Sequence, residues 1–467
     1  MILTIAKKEF TGLCRDGRYR LTVVCLLVLM LASSALGWAN YQDWVEQAEH
    51  AAEHDYQRWR NQDPTHPHNA AHYGIYAFKT PRPLAILDSG IQPYIGASVR
   101  YGAHNQNEVE FPPAQDATAL QRFGDLAMAD VVRVLLPLLV IFLGFGSFAG
   151  EREQGTLRQL LSLGVKPGVL LWGKALGIAA ALAVVLVPAS VAGLLLAGLL
   201  SPNEYRADEI SRAGLLMLAY GVYLGIFLGL SLAVSARCRR SRTALTVLLV
   251  FWVLTVFALP RGLLDLGAMR HPAPAPQPFW ISFYDDFSKA TNQKSQAVLD
   301  GLLQKYHVSK IEELPIDPTG LLMSASEEGG WPVIDRYVDH RFGIYREQTQ
   351  VLAWGSVLSP AAGLSLLSMA LSGNDLEQHR DFIRQVESQR RTLNTLLNDY
   401  MVQHPQKRTD ELTGDQALWS QVPPFVYHPP EWQSALQPYG VVLGIQVLWL
   451  VLVMWLAHRS AQRVSVV

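Results

Sequence analysis

Cysteine is scarce in this 467-residue chain, and its three cysteines, Cys14, Cys25 and Cys238, lie in or beside apolar runs. The two longest polar segments contain none, which excludes a disulfide framework and leaves packing alone to hold those segments. Charged residues make up only 17% of the chain and are few in its apolar runs. This scarcity argues against a proton- or ion-coupled carrier, which usually needs carboxylates inside the membrane.

Six apolar runs of about 20 residues are long enough to cross a bilayer core as helices. One of them contains a charge, Arg133, near its end. The predicted fold class is a mainly α-helical membrane protein. Its predicted transmembrane helices are residues 21–39, 131–149, 175–200, 213–236, 243–259 and 439–457.

Lysine and arginine cluster in alternate connecting segments, and the positive-inside rule turns this bias into an orientation. The basic segments are predicted to be cytoplasmic: 1–20, 150–174, 237–242 and 458–467. The opposing segments are predicted to be extracytoplasmic: 40–130, 201–212 and 260–438. Both termini then lie in the cytoplasm, and a bacterial inner membrane fits the arrangement.

The two large extracytoplasmic segments are predicted to be mostly helical, with some irregular or β structure where prolines cluster. Helical patterns cover residues 41–61, 283–306, 333–351 and 376–403. Residues 354–371 are apolar but are broken by Pro360 and Gly363, so they form either a core segment or a re-entrant hairpin that dips into the membrane. A position at or near the membrane surface is favoured. Residues 1–20 have the spacing of an amphipathic helix lying in the membrane interface.

One short motif resembles a phosphate-binding loop. Residues 168–174 fit its first seven positions, but Ala175 stands where a serine or threonine must bind magnesium. Close helix packing at Gly173 and Gly177 is therefore the favoured interpretation.

A second motif, His50-Ala51-Ala52-Glu53-His54, has the His-x-x-Glu-His form of a zinc hydrolase. On a helix, His50 and His54 share a face and could both bind one ion. A third ligand is required, and the possible sources are His66, His68, His72 and Glu108. A solvated helix face is the favoured interpretation, so no metal or catalytic site is assigned and His50 and His54 remain candidate ligands.

Three glycines, Gly221, Gly225 and Gly229, recur every four residues in the fourth apolar run. Small residues at this spacing let helices approach closely in lipid. They are predicted to pack either against another helix of the same chain or against a second subunit.

The segment between the second and third runs reads Glu151-Arg152-Glu153-Gln154-Gly155-Thr156-Leu157, followed by Leu160-Leu161 and, at the third run, Gly173-Lys174. With the basic N-terminal helix, this order resembles the membrane subunits of ABC-2 type ABC transporters. The resemblance implies that a coupling helix from Glu151 to about Leu163 rests on a separate ATPase subunit. The implied coupling residues are Glu151, Arg152, Glu153, Gly155, Thr156, Leu157, Leu160 and Leu161.

The same resemblance implies individual roles within that helix. Glu151 and Glu153 would contact the partner or fix the start of the helix, where acidic groups are favoured by its dipole. Gly155 would permit a tight turn, and Thr156 could cap the helical residues after it.

The chain is thus predicted to be an exporter permease that pairs with an identical or related permease and with cytoplasmic ATPase subunits. ATP and magnesium would bind to those subunits, and the permease itself would bind no cofactor or nucleic acid and would have no catalytic site. The segment between the last two spans resembles that of a subgroup with a large extracytoplasmic domain. Two alternatives are a membrane-anchored periplasmic zinc hydrolase and an envelope adaptor that recruits periplasmic proteins. The transported substrate stays open.

Overall fold

The computed structural model describes residues 1–104, 106–107, 127–404 and 412–464. Within these ranges, six helices are long and apolar enough to cross a membrane. They are numbered spans 1 to 6: Gly17–Arg60, Met128–Glu153, Pro167–Leu200, Arg206–Arg237, Ser241–Arg270 and Trp432–Gln462. Each contains one of the predicted apolar runs, which confirms a mainly α-helical membrane protein with large additional helical segments.

Spans 2 and 5 each contain a π-helical turn just before a proline. The turns cover Val131–Leu135 and Leu254–Ala258, and the prolines are Pro137 and Pro260. A proline lacks the N–H of a regular helix and clashes with the carbonyl four residues earlier. The wider turn provides space for the proline ring without ending the span.

Span 1 is much longer than a bilayer is thick. Its 44 residues extend about 66 Å at 1.5 Å per residue. The predicted helix at 41–61 is therefore the second half of span 1. At its far end Trp59 is fully buried, and its indole nitrogen donates to the carbonyl of Trp419 at 3.0 Å.

A separate hydrophobic core surrounds the far end of span 1. It joins the two large segments, 40–130 and 260–438, into one distal domain. Its buried members include Trp59, Ile75, Tyr101, Phe382 and Trp419. The strands β1 (Ile75–Phe78) and β2 (Ser98–Tyr101) form an antiparallel pair against it, with Ile75 opposite Tyr101.

The other helices and helical turns outside the spans are Ile2–Arg15, Pro67–Tyr73, Pro83–Ile86, Gln92–Ile95, Thr156–Ser162, Pro276–Lys305, Ile311–Glu313, Thr319–Gly355, Pro360–Ser372, Leu376–Gln403 and Gln416–Trp419.

The helix Pro360–Ser372 lies buried against spans 4 and 6. Ser359 caps it by accepting from the backbone N–H of Ala362 at 3.1 Å. The side-chain amide of Gln446 donates to the carbonyl of Pro360 at 2.6 Å. Residues 360–372 are thus buried among the spans, and the depth of this helix in a bilayer stays a prediction.

The N-terminal helix Ile2–Arg15 packs along the start of span 3, and two glycines make room for it. A Cβ added at Gly173 would lie 2.6 Å from the side chain of Ile5. A Cβ added at Gly177 would lie 2.6 Å from that of Glu9 and 2.8 Å from the carbonyl oxygen of Ala6. The sequence resembling a phosphate-binding loop is thus a helix-packing surface.

This contact predicts that Gly177→Val destabilises the protein, because the branched side chain would push the N-terminal helix away from span 3. Overpacking of this kind costs about 1–3 kcal/mol. Thermal unfolding of the purified protein in detergent should show a lower midpoint. Gly444→Val in span 6 is the matched control, since a Cβ added there meets nothing within 4 Å of this chain. Equal midpoints for the two variants would contradict the packing.

Candidate functional site

The segment that joins spans 2 and 3 contains two short helices. The first, Ala149–Glu153, ends span 2, and the second is Thr156–Ser162. Gly155 separates them with a φ of +75°, a left-handed conformation that glycine adopts without steric cost. The prediction of one helix from Glu151 to about Leu163 is therefore wrong, whereas a tight turn at Gly155 is present.

Thr156 does not cap the second helix. Its hydroxyl donates to the carbonyl of Glu151 at 3.2 Å, and no side chain caps the helix at Gly155. The helix stops at Ser162, and Gly164 follows with a φ of +79°. Span 3 then begins with Pro167, where a proline ring fits the first turn of a helix.

Glu151 turns inward to a buried lysine at the start of span 3. The Nζ of Lys174 lies 2.8 Å from Oε1 of Glu151 and 3.1 Å from Oε1 of Glu9. Only 1% of the Lys174 side chain is exposed. A buried ammonium requires such partners, because taking it out of water unpaired is very costly. This group of Lys174, Glu9 and Glu151, termed the lysine cluster, joins three separate parts of the chain.

Lys8 extends the lysine cluster toward solvent, at 2.9 Å from Glu9 and 3.6 Å from Glu151. Burial opposes ionisation of Glu9, but the charges and hydrogen bonds of Lys174 and Lys8 lower its pKa below the usual range. Burial likewise opposes the charge of Lys8, while Glu9 and Glu151 raise its pKa. These pKa shifts favour a Glu9 carboxylate facing a Lys8 ammonium group at neutral pH.

Arg152 and Glu153 attach the same segment to spans 4 and 5. The guanidinium of Arg152 donates to the carbonyls of Ala236, at 2.9 Å, and of Cys238, which belong to the end of span 4. The carboxylate of Glu153 accepts from the backbone N–H of Ser241 at 3.1 Å and from its hydroxyl at 2.6 Å. Arg152 thereby satisfies carbonyl groups at the C-terminal end of span 4, and Glu153 satisfies an amide group at the N-terminal end of span 5.

The leucines of the segment anchor its second helix. Leu157 is buried, and Leu160 and Leu161 pack partly buried against the membrane core. Exposed side chains of the segment are Glu153, which is bonded to Ser241, and five others termed the outward face: Gln154, Arg158, Gln159, Ser162 and Leu163. Leu163 is the apolar member, with 80% of its surface exposed.

The sequence draws attention to this segment but not to its partners within the chain. By sequence alone, Lys174 is only a basic residue that opens span 3, and Glu9 is only part of a basic helix. Their side chains meet Glu151 through tertiary packing, for which the sequence gives no local signal. Leu163 carries a weak signal, since it is an apolar residue just before the turn glycine Gly164.

The glycines of span 4 differ in their surroundings. A Cβ at Gly229 would lie 2.8 Å from the side chain of Val453, and one at Gly225 would lie 3.0 Å from that of Leu450, both in span 6. A Cβ at Gly221 would meet nothing within 4 Å. Gly225 and Gly229 therefore allow span 6 of the same chain to pack closely against span 4.

His50 and His54 lie on the part of span 1 that follows the apolar run 21–39, and both are exposed. In the described part of the chain, the group of three potential metal ligands is His68, His72 and His104, which includes neither of them. Glu108 lies outside the described residues. The geometry thus gives the His50–His54 pair no third ligand among the residues described.

A cavity of about 380 Å³ lies at the distal end of the spans. Its polar lining includes Asp88, Arg133, Tyr220, Ser365 and Ser368. Burial raises the pKa of Asp88, opposed by hydrogen bonds from Ser368 and the backbone of Gly90. Arg133 donates to Ser365 at 2.7 Å, and the Tyr220 hydroxyl lies 2.9 Å from that of Ser368. The cavity therefore presents both hydrogen-bond donors and acceptors.

Comparisons with known protein families identify most of the membrane-spanning part of the chain. A family model described as ABC-2 family transporter protein matches residues 3–314, which is well over half of the chain. A second model, a domain of unknown function named DUF3526, matches residues 278–428. No curated protein matches the chain.

The lysine cluster predicts that Lys174→Met lowers stability by about 3 kcal/mol, because two carboxylates would remain half-buried without their cation. Thermal unfolding in detergent measures the loss. Adding Glu9→Gln and Glu151→Gln to the same variant should restore most of it. Lys289→Met is the control, since Lys289 and Asp285 form an exposed ion pair of little value. A Lys174→Met variant as stable as Lys289→Met would contradict a structural role for the cluster.

Proposed function

The chain belongs to the ABC-2 transporter family, and from that premise we propose that it is the permease of an ABC exporter driven by separate ATPase subunits. Members of the family are membrane components of ABC transporters and carry no ATPase site of their own. The segment from Ala149 to Ser162 is the part that receives force from the ATPase. ATP and magnesium bind to that subunit.

The observation that carries this proposal is the number of helices attached to one short segment. Glu151 joins it to span 3 and, through Lys174, to the N-terminal helix. Arg152 joins it to span 4, and Glu153 joins it to span 5. A displacement of this segment would therefore move several spans together. Such a junction is what a permease without its own energy source requires.

The proposal changes the roles that the resemblance implied for the acidic residues. Glu151 and Glu153 hold the segment in place, because their carboxylates are engaged inside the chain. Contact with the ATPase falls to the outward face, where Arg158 offers a charge and Leu163 an apolar side chain. A few such residues usually carry most of the affinity of a protein interface.

The positive-inside bias supports the orientation of this assembly. The junction and both termini lie in the cytoplasm of a bacterial inner membrane, and the distal domain lies outside. Export follows from the resemblance to ABC-2 exporters. A second permease, identical or related, completes the transporter, since dimerisation is usual in the family.

The outward face predicts that Leu163→Asp or Arg158→Glu weakens binding of the ATPase by about tenfold or more, because each change removes an interfacial contact. Affinity and permease-stimulated ATP hydrolysis are measured with the ATPase subunit that co-purifies with the wild-type chain. Both variants should insert and fold normally, since neither side chain is buried.

Val426→Asp is the matched control, because Val426 is also an accessible apolar residue, 59% exposed, and belongs to the distal domain. It should leave affinity and stimulation unchanged. Wild-type affinity in both Leu163→Asp and Arg158→Glu would refute this face as the docking surface. An equal loss in Val426→Asp would do the same, since the effect would then not be local.

A further inference from the structure

Three histidines meet on the surface of the distal domain, at the opposite end of the spans from Glu151. His68 and His72 lie one turn apart on the helix Pro67–Tyr73, and His104 follows β2. Their ligand nitrogens all lie within 4.8 Å of one another, and the Nε2 atoms of His68 and His72 are 3.1 Å apart. Two nitrogens at about 2.1 Å from one tetrahedral zinc ion lie about 3.4 Å apart. From this geometry we propose that His68, His72 and His104 bind a divalent transition-metal ion of the zinc class.

The orientation of His104 is set by a buried carboxylate. Its Nδ1 lies 3.1 Å from Oε1 of Glu327, only 7% of which is exposed. Glu327 also pairs with Arg390 at 3.1 Å, and its Oε1 is placed to accept the Nδ1 proton of His104. The lone pair of the other ring nitrogen is then available to an ion. A carboxylate behind a metal-binding histidine commonly fixes its tautomer in this way.

The backbone of His104 is held as firmly as its ring. Its φ is +63°, a left-handed conformation that costs a non-glycine residue of order 1 kcal/mol and persists only where the surroundings impose it. Its N–H donates to Glu327 at 2.8 Å, and its carbonyl accepts from Arg390 at 3.2 Å. Strained residues of this kind cluster at ligand sites.

The two ligand-bearing segments are also fixed to each other. The N–H of Ala103 donates to the carbonyl of Ala71 at 2.9 Å, which joins the loop to the helix. A Cβ added at Gly102 would lie 2.6 Å from the same carbonyl oxygen, so this approach requires glycine. The ring nitrogen of His66 accepts from the N–H of His68 at 3.3 Å and fixes the start of the helix.

The chemistry of the donors selects the ion. Ring nitrogens of His68, His72 and His104 are the donors that this geometry supplies. Three nitrogens without a carboxylate suit zinc, copper or nickel and disfavour magnesium and calcium. Because His72 is exposed, the fourth position of a bound ion would face solvent.

Metal binding to the full-length protein in detergent tests this site. After chelation and dialysis, Zn²⁺ is titrated into the wild type, His72→Ala, and His68→Ala/His104→Ala. The wild type should bind one equivalent more than the double variant and should gain about 3 °C or more in its unfolding midpoint with Zn²⁺. His72→Ala should weaken binding at least tenfold. Mg²⁺ should produce neither effect in any of these proteins.

His50→Ala/His54→Ala is the matched control, because it removes another pair of histidines four residues apart from an exposed helix face. It should bind as much Zn²⁺ as the wild type. Glu327→Gln should keep the stoichiometry but weaken affinity by about 10- to 100-fold. Equal stoichiometry and affinity in the wild type, His72→Ala and the double variant would overturn the proposal. Loss of the Zn²⁺ equivalent in His50→Ala/His54→Ala would overturn it as well.

Discussion

One buried ammonium group determines how the membrane half of this protein is assembled. Lys174 sits at the start of span 3 with almost no exposure, and an unpaired charge there would be very unfavourable. Its two carboxylates come from Glu9 and Glu151, which lie far apart in sequence. The N-terminal helix and the segment after span 2 must therefore both be in place before Lys174 is satisfied. Gly173 and Gly177 permit the close approach that this pairing needs.

The segment Ala149–Ser162 has two halves with different proposed roles, and the lysine cluster fixes the first half in place. Residues before Gly155 are bonded to the N-terminal helix and to spans 3, 4 and 5, so they are fixed within the chain. Residues after Gly155 present polar side chains and Leu163 outward. The left-handed turn at Gly155 sets the angle between the halves. In the proposed mechanism a partner pushes on the second half, and the first half distributes that push among the spans.

The sequence predicts those features that depend on local pattern. Hydropathy locates all six spans, because a run of about 20 apolar residues is enough to identify a transmembrane helix. The helix at 376–403 has the predicted bounds, because its apolar spacing is regular and Asp375 caps it. The single helix at 151–163 is a wrong prediction, because the chain turns at Gly155, where φ is positive. The inward direction of Glu151 was not predictable, because it depends on Lys174 and Glu9.

The histidines show the same limit of prediction from local sequence pattern. The pairs His50–His54 and His68–His72 both have the four-residue spacing that lets a helix offer two ligands to one ion. Only a third ligand distinguishes them, and His104 reaches the second pair through the pairing of β1 with β2. Glu327 and Arg390, which hold His104, belong to the other large segment of the chain. The proposed metal site therefore requires that both segments fold together, and a bound ion would stabilise that joint domain rather than either segment alone.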